Sequence, residues 1–210
     1  MNIIFEDKEI IVCIKPVGIL SQKDASGKTN MVEQLEEKCN SKIFPLHRLD
    51  REVGGIMVFA KTKFAAARLS ADIADHKFQK EYIALIHSKP ETTSGEMRDL
   101  LFKDSSKNKT YVVKRERKGV KEAILEYTLL ETFEIDGEEY SKVRVLLHTG
   151  RTHQIRVQFS TRKMPLAGDR KYGARDGFNQ IGLWSYKISF KHPKTNKNLE
   201  FSAEPQINLH

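Results

Sequence analysis

Between Lys80 and His148 the sequence carries four runs of strand character and no stretch of helical period, and this limits the fold more than any other feature. Lys80 to His87 (KEYIALIH), Thr110 to Arg115, Ala123 to Phe133 and Tyr140 to His148 alternate or concentrate β-branched and aromatic residues, as half-buried antiparallel strands do. More strands lie on either side. Ile3 to Glu6 and Glu9 to Ile14 flank Asp7-Lys8 as a hairpin that ends at Lys15-Pro16, because proline cannot donate to a continuing ladder. Gly55 to Lys61 (GIMVFAK) reads as a short buried strand behind a turn at Gly54-Gly55. Gly182 to Phe190 and Leu199 to Ala203 close the chain around a turn at His192 to Asn196. Helices are few and isolated. One follows Thr29 with Met31, Val32 and Leu35 at helical spacing, and one runs from Thr62 to about Asp75. A short third places Ile155, Arg156 and Phe159 on one face with Thr152 as cap; a strand continuation is its alternative. Ser88 to Lys109, rich in turn formers and charge, reads as a mobile insert, either a loop near a cleft or a plain disordered connection. Without regular βαβ alternation, the class is α+β, one domain over residues 1–210 with a large mixed or antiparallel sheet and flanking helices.

Several functions are excluded at this level. The longest apolar runs, Ile10 to Ile14 and Ile56 to Ala60, fall far short of the ~20 residues that cross a bilayer. The N-terminus lacks a basic segment followed by an apolar one, so a cytoplasmic protein is expected. Cys13 and Cys39 have no C-x-x-C spacing and read as free buried thiols. Ser26-Gly27-Lys28-Thr29 looks like the end of a phosphate-binding loop, but Gln22 stands where that motif needs glycine. His148 and His153 form no ligand triad and read as polar contacts, so neither a metal nor an organic cofactor is expected. The formal charge of +8 and pI near 9.4 point to a polyanionic partner, nucleic acid first.

Two segments carry the chemistry. His47-Arg48-Leu49-Asp50-Arg51 places one carboxylate among guanidinium groups ahead of a buried strand; such a carboxylate suits a nucleophile or base rather than a proton donor. No second acid stands beside Asp50, which disfavours a glycosidase. Thr149-Gly150-Arg151-Thr152-His153-Gln154-Ile155-Arg156-Val157 crowds cations and polar groups at a turn, with Arg156 on the helix face of Ile155 and Phe159. A partly buried guanidinium needs an anion, and Asp50 is the natural candidate.

HRLDREVGGIMVFAKT resembles the catalytic segment of the RluA family of RNA pseudouridine synthases, and TGRTHQIRVQFSTRKMPLAGDRKYG resembles its C-terminal signature. The likeness continues at Lys15-Pro16-Val17-Gly18, Lys80-Glu81-Tyr82-Ile83-Ala84 and Phe190-Lys191-His192-Pro193. It implies a catalytic domain with loops around an RNA-binding cleft, acting without metal or cofactor on a uridine flipped out of structured ribosomal or transfer RNA. It further implies that Asp50 is the catalytic aspartate, that Tyr82 packs on the target base, that Arg156 pairs with Asp50, and that Arg48 fills the gap left by the flipped nucleotide. Taken alone, Tyr82 reads as a core strand tyrosine. Lys15, Arg51, Lys80, Arg151, Arg170 and Lys171 are expected to contact phosphates. A non-catalytic RNA-binding protein on the same scaffold is the alternative. The sequence departs from the family pattern at Val53-Gly54, where Thr-Ser is common, at Gln158, where histidine is usual, and at Trp184-Ser185, where His-Ala is usual. The chain is expected to begin at the catalytic domain, with no RNA-binding module in front, and to act as a monomer.

Overall fold

The computed structural model describes residues 2–24 and 27–207; Ser26 of the Ser26–Thr29 segment lies outside the described residues. In chain order the elements are β1 (Asn2–Glu6), β2 (Ile10–Lys15), α1 (Met31–Cys39), β3 (Phe44–Pro45), β4 (Gly54–Ala60), α2 (Lys63–Ala74), β5 (Gln79–His87), β6 (Ser94–Asp104), β7 (Lys109–Val113), β8 (Val120–Ile135), β9 (Glu138–Leu147), α3 (Gln154–Thr161), a 3-10 turn (Arg170–Tyr172), β10 (Leu183–Lys191) and β11 (Asn198–Ser202). The class is α+β, as expected. The chain forms two compact units, Met1–Lys80 with Trp184–Gln206, and Glu81–Leu183 with Ile207–His210. Among the described residues no helix is long and apolar enough to cross a membrane.

In the first unit β2 pairs antiparallel with β1 and with β4, while β10 runs parallel to β4 and antiparallel to β11. The β1–β2 turn closes because Asp7 Oδ1 accepts from the backbone N–H groups of Glu9 and Ile10, each at 2.8 Å. Every residue of β4 is buried, which explains why its sequence is continuously apolar rather than alternating. Ile56, Val58 and Ala60 pack with Ile10, Val12, Ala65 and Leu69 in the core under α2. α2 begins where the sequence reading puts it, with Thr62 as its cap, the Oγ1 accepting from Ala65 N at 3.1 Å. The cap of α1 is Asn30, whose Oδ1 accepts from Glu33 N. Cys13 is free and buried, whereas Cys39 is free but only half-buried, contrary to the expectation of two buried thiols.

In the second unit the strand order is β5-β9-β8-β6-β7, antiparallel throughout. The expected mobile insert at Ser88 to Lys109 is a correction: eleven of its residues form β6, held between β7 and β8. Charge hid the strand. Only Met97 and Leu101 of β6 are buried, and two of its ions pair with other elements, Arg98 with Glu122 at 2.8 Å and Asp99 with Arg162 at 2.8 Å. The helix after Gly150 exists as α3, but its cap position is His153 in the left-handed region (φ 53°), with no side-chain capping bond. Thr152 instead gives its carbonyl to Thr110 Oγ1.

Gly54 and Gly55 are strand residues of β4, not a turn, and each is required by its partner on β10. A Cβ on Gly54 would lie 2.5 Å from Trp184 Cζ3; one on Gly55, at φ 125°, would lie 2.4 Å from Ser185 O. Trp184 is fixed in turn by its indole N–H donating to Ala203 O at 2.9 Å. Two of the departures noted in the sequence are thus one contact, since Gly54 is the register partner of Trp184. Gly54→Ser alone should cost about 1–3 kcal/mol through overpacking. Trp184→His in that background should recover part of the loss, which a double-mutant cycle of urea denaturation would read as a coupling term.

Candidate active site

The segment His47 to Val53 contains no regular element, so its shape depends on where its backbone groups bond. Ser21 Oγ donates to Leu49 O at 2.8 Å and accepts from Leu49 N at 2.9 Å. Gly18 N donates to Arg51 O at 2.8 Å, and Val53 N to Asp50 O at 3.0 Å. His47 Nε2 accepts from Val58 N at 3.3 Å, and its ring leans on Phe78. Burial, and then the charge of Lys80, push His47 down to about 3, so the imidazole is neutral and acts as a structural acceptor. Asp50 is half-buried between buried Leu49 and exposed Arg51.

Lys15 completes this clamp, and here the sequence reading is corrected. Expected at a phosphate, it is fully buried. Its Nζ donates to Pro16 O (2.9 Å), Ile19 O (2.7 Å) and Arg51 O (3.2 Å), which uses all three of its protons. Burial pushes the ammonium down to about 8, while the negative charges of Glu52 and Asp50 pull the other way. The Lys15-Pro16-Val17-Gly18 turn therefore ties the Asp50 segment to β2.

In the second unit Arg156 is buried, with its Nε donating to Asp169 Oδ2 at 2.7 Å and its Nη2 to Asp169 Oδ1 at 2.9 Å. This two-point pair is the geometry that a planar guanidinium favours. Its cationic plane also lies 5.1 Å from the Tyr172 ring centroid. The need for an anion was legible, and Asp169, which the sequence reading did not nominate, supplies one. A signal existed: Asp169 is the only acid between Thr149 and Gly173. Tyr172 was missed as well. Its hydroxyl accepts from Thr110 N and meets His153 Nδ1, both at 2.8 Å, joining α3, β7 and the 3-10 turn. Gln158 Nε2 donates to Asp99 Oδ2 at 2.7 Å and to Met97 O at 3.1 Å, tying α3 to β6. Tyr82 is 6% exposed on β5, opposite Val145.

The remaining expected cations differ in state. Arg48 and Arg170 are exposed, Arg51 meets Glu52 at 3.3 Å, and Lys80 is half-buried with its ammonium pushed down by that burial. Arg151 Nε donates to Glu122 O at 2.8 Å, and Lys171 Nζ to Asn108 O at 3.1 Å. His148 faces Glu126 at 2.8 Å, a polar contact as read from the sequence. Among the described residues, no three His, Cys, Asp or Glu side chains converge as a metal site would require.

An α+β scaffold with one mixed and one antiparallel strand set, a clamped aspartate segment and a buried arginine pair is the setting in which the sequence comparisons fall. Residues 9–161 match the RNA pseudouridylate synthase family, and the chain belongs to that family. It is 30% identical over 213 residues to the ribosomal large subunit pseudouridine synthase C of Buchnera aphidicola, covering 96% of this chain and 66% of that protein. It is 28% identical over 226 residues to the tRNA pseudouridine synthase C of Haemophilus ducreyi, covering 97% and 90%. The fold is similar to that of human RNA pseudouridylate synthase domain containing 1, with a TM-score of 0.79, 20% identity, and coverage of 97% and 83%. The chain spans about two thirds of the length of several of the curated relatives it matches.

Lys15→Met should leave three carbonyls without their donor and destabilise the protein by about 2–4 kcal/mol, with the salt dependence of RNA binding unchanged because no phosphate contact is lost. The sign of its pH effect follows from proton binding. Unfolded, Lys15 holds its proton to its ordinary value of 10.5, and folded only to about 8. Unfolding thus takes up a proton in that window, and stability from this group rises with pH across it; denaturation of wild type against Lys15→Met would show the difference. Arg156→Met should cost about 3–5 kcal/mol by stranding buried Asp169, while Arg156→Lys restores the charge without the two-point grip. Thermal melts check this directly, and unchanged melting in Arg156→Met would contradict it.

Proposed function

We propose that this protein is an RNA pseudouridine synthase, a cytoplasmic isomerase acting as a monomer on a uridine in ribosomal or transfer RNA. The observation that carries the reading is the backbone clamp on Leu49, Asp50 and Arg51, in a chain that belongs to this family. A reactive carboxylate must be held in a fixed orientation, and here three consecutive carbonyls are bonded to Ser21, Val53, Gly18 and Lys15.

The reaction breaks the N1–C1′ bond of uridine, rotates the base within the site and forms C5–C1′, with the C5 proton lost and N1 protonated. Atoms and electrons balance within the substrate, so neither a redox group nor a metal is needed. The target base is extruded from its stack at a cost of a few kcal/mol. Asp50 serves as the nucleophile or base, by attack on C1′, by attack on C6 or by removal of the C2′ proton. Tyr82 packs on the extruded base, Arg48 occupies the gap left in the RNA, and Arg156 orients the carboxylate. Arg51, Lys80, Arg151, Arg170 and Lys171 approach backbone phosphates.

Asp50→Ala and Asp50→Asn should keep fold and RNA affinity and lose pseudouridine formation by at least about 10³-fold, an expectation set by loss of a covalent or proton-transfer group. Carbodiimide mapping of total RNA from cells with and without the gene identifies the site. Mapping of RNA treated with the Asp50 variants then tests the residue. Turnover by Asp50→Ala would remove the catalytic role, and binding without turnover by wild type on every RNA tried would favour a non-catalytic RNA-binding protein.

A further inference from the structure

The charge of the chain is concentrated in one place. Lys103 to Lys121 holds eight lysines and arginines against two carboxylates, a net of +6 in a chain of net +8. These residues belong to the end of β6, the turn to β7, β7 itself, the connection to β8 and the start of β8. One of the two acids is occupied locally, since Asp104 Oδ1 accepts from Ser106 N, Ser106 Oγ and Lys107 N to close the β6–β7 turn. None of the eight cations forms an ion pair among the described residues, and all but Lys109 are exposed. Four cations elsewhere in the same unit are paired across strands and elements, Arg98 with Glu122, Lys142 with Glu131, Arg144 with Glu81 and Arg162 with Asp99. Unpaired like charges held together by a rigid hairpin repel one another, an arrangement that a polyanion relieves.

The hairpin also fixes what lies among those charges. Phe102 is the register partner of Tyr111 on β7 and of Val120 on β8, so the three side chains share one face. The opposite face, with Leu101 and Val112, is packed against Val157 and Tyr172. Tyr111 is 37% exposed. Arg117 lies 4.5 Å from the Phe102 ring centroid, and Lys109 5.8 Å from that of Tyr111. Lys171 reaches Asn108 O at the hairpin turn and adds a further cation there.

We propose that this face of the β6–β7 hairpin, with the connection to β8, is an RNA-docking surface in which unpaired cations hold backbone phosphates and Tyr111 offers a ring to an unpaired base. The surface lies outside the Asp50 segment and serves affinity, not chemistry. It rests on the reading of the substrate as RNA. Cations flanking exposed aromatic rings on a sheet are the elements that grip single-stranded nucleic acid, and phosphate contacts position without reading sequence. The residues expected from sequence to meet phosphates lie inside the signature segments; this stretch lies between them and follows no signature.

The test compares two fourfold variants of equal charge in the full chain. The first carries Lys107→Gln, Lys114→Gln, Arg115→Gln and Lys118→Gln; the control carries Lys8→Gln, Lys38→Gln, Lys63→Gln and Lys191→Gln, all exposed. The probe is a fluorescein-labelled 20-nucleotide single-stranded RNA titrated from 50 to 300 mM salt, with heparin as a polyanion lacking bases. The hairpin variant should bind RNA about tenfold or more weakly than the control, its log–log salt slope shallower by about 2–3, since each single-strand phosphate contact contributes about 0.7. Tyr111→Ala should weaken RNA about fivefold or more while leaving heparin unchanged, because only a base stacks. Turnover at saturating RNA should be kept by both variants, with the defect of the hairpin variant confined to KM. Equal RNA affinity of the two fourfold variants overturns the proposal, as does equal loss of RNA and heparin in Tyr111→Ala, or preferred binding of the hairpin to anionic lipid vesicles over RNA. Absence of turnover in wild type would instead count against the catalytic reading, since the binding comparison needs no turnover.

Discussion

A lysine ammonium removed from water is tolerated only where its protons are taken up by acceptors, and Lys15 meets that condition with the carbonyls of Pro16, Ile19 and Arg51. The consequence reaches well beyond the lysine. Lys15 is the last residue of β2, paired with Gly55 at the start of β4, so the same residue fixes where the buried strand begins and where the Asp50 segment ends. The two acceptors on its own turn hold Lys15-Pro16-Val17-Gly18 in shape, and that turn returns Gly18 N to Arg51 O. A segment without regular structure thereby becomes as determined as the strands around it.

The close approach of β4 and β10 explains how the sequence can depart from its family pattern and keep its fold. Read along the chain, Val53-Gly54 and Trp184-Ser185 are separate oddities more than a hundred residues apart. In space Gly54 faces Trp184 and Gly55 faces Ser185. The larger indole occupies the volume that a side chain at position 54 would need, and Ser185 Oγ uses its hydroxyl to donate to Ile56 O. Substitutions at contacting sites are not additive, which is why one sequence without its contacts presented them as two differences.

Much of the fold was legible because hydrophobic period and turn chemistry agreed: the β1–β2 hairpin, the start of α2 at Thr62, the buried β4 and four of the central strands lie within a few residues of where the sequence puts them. What failed, failed for identifiable reasons. β6 has only two buried side chains and pairs Arg98 and Asp99 with Glu122 and Arg162 of other elements, so it resembles a loop until its neighbours are known. α3 starts from a left-handed His153 without a capping side chain, so no cap residue marks it. In the site, the aspartate segment was legible from its motif, yet the backbone bonds that hold it join Lys15, Gly18 and Ser21 to positions about thirty residues away, beyond any local pattern.

The cations show the limit of a charge count most directly. Lysine and arginine were treated in the sequence as one class of phosphate contact, and the structure separates them by what each is bonded to. Lys15 satisfies carbonyls and Arg156 satisfies Asp169, both out of solvent, where loss of the partner is costly. The cations between Lys103 and Lys121 form no ion pair among the described residues, and all but Lys109 are exposed, where a single charge contributes little to stability. A buried cation is therefore a statement about the fold, and an unpaired exposed group of them is a statement about what the fold meets. The same +8 holds both kinds, and hydrogen-bond partners, rather than number, distinguish them.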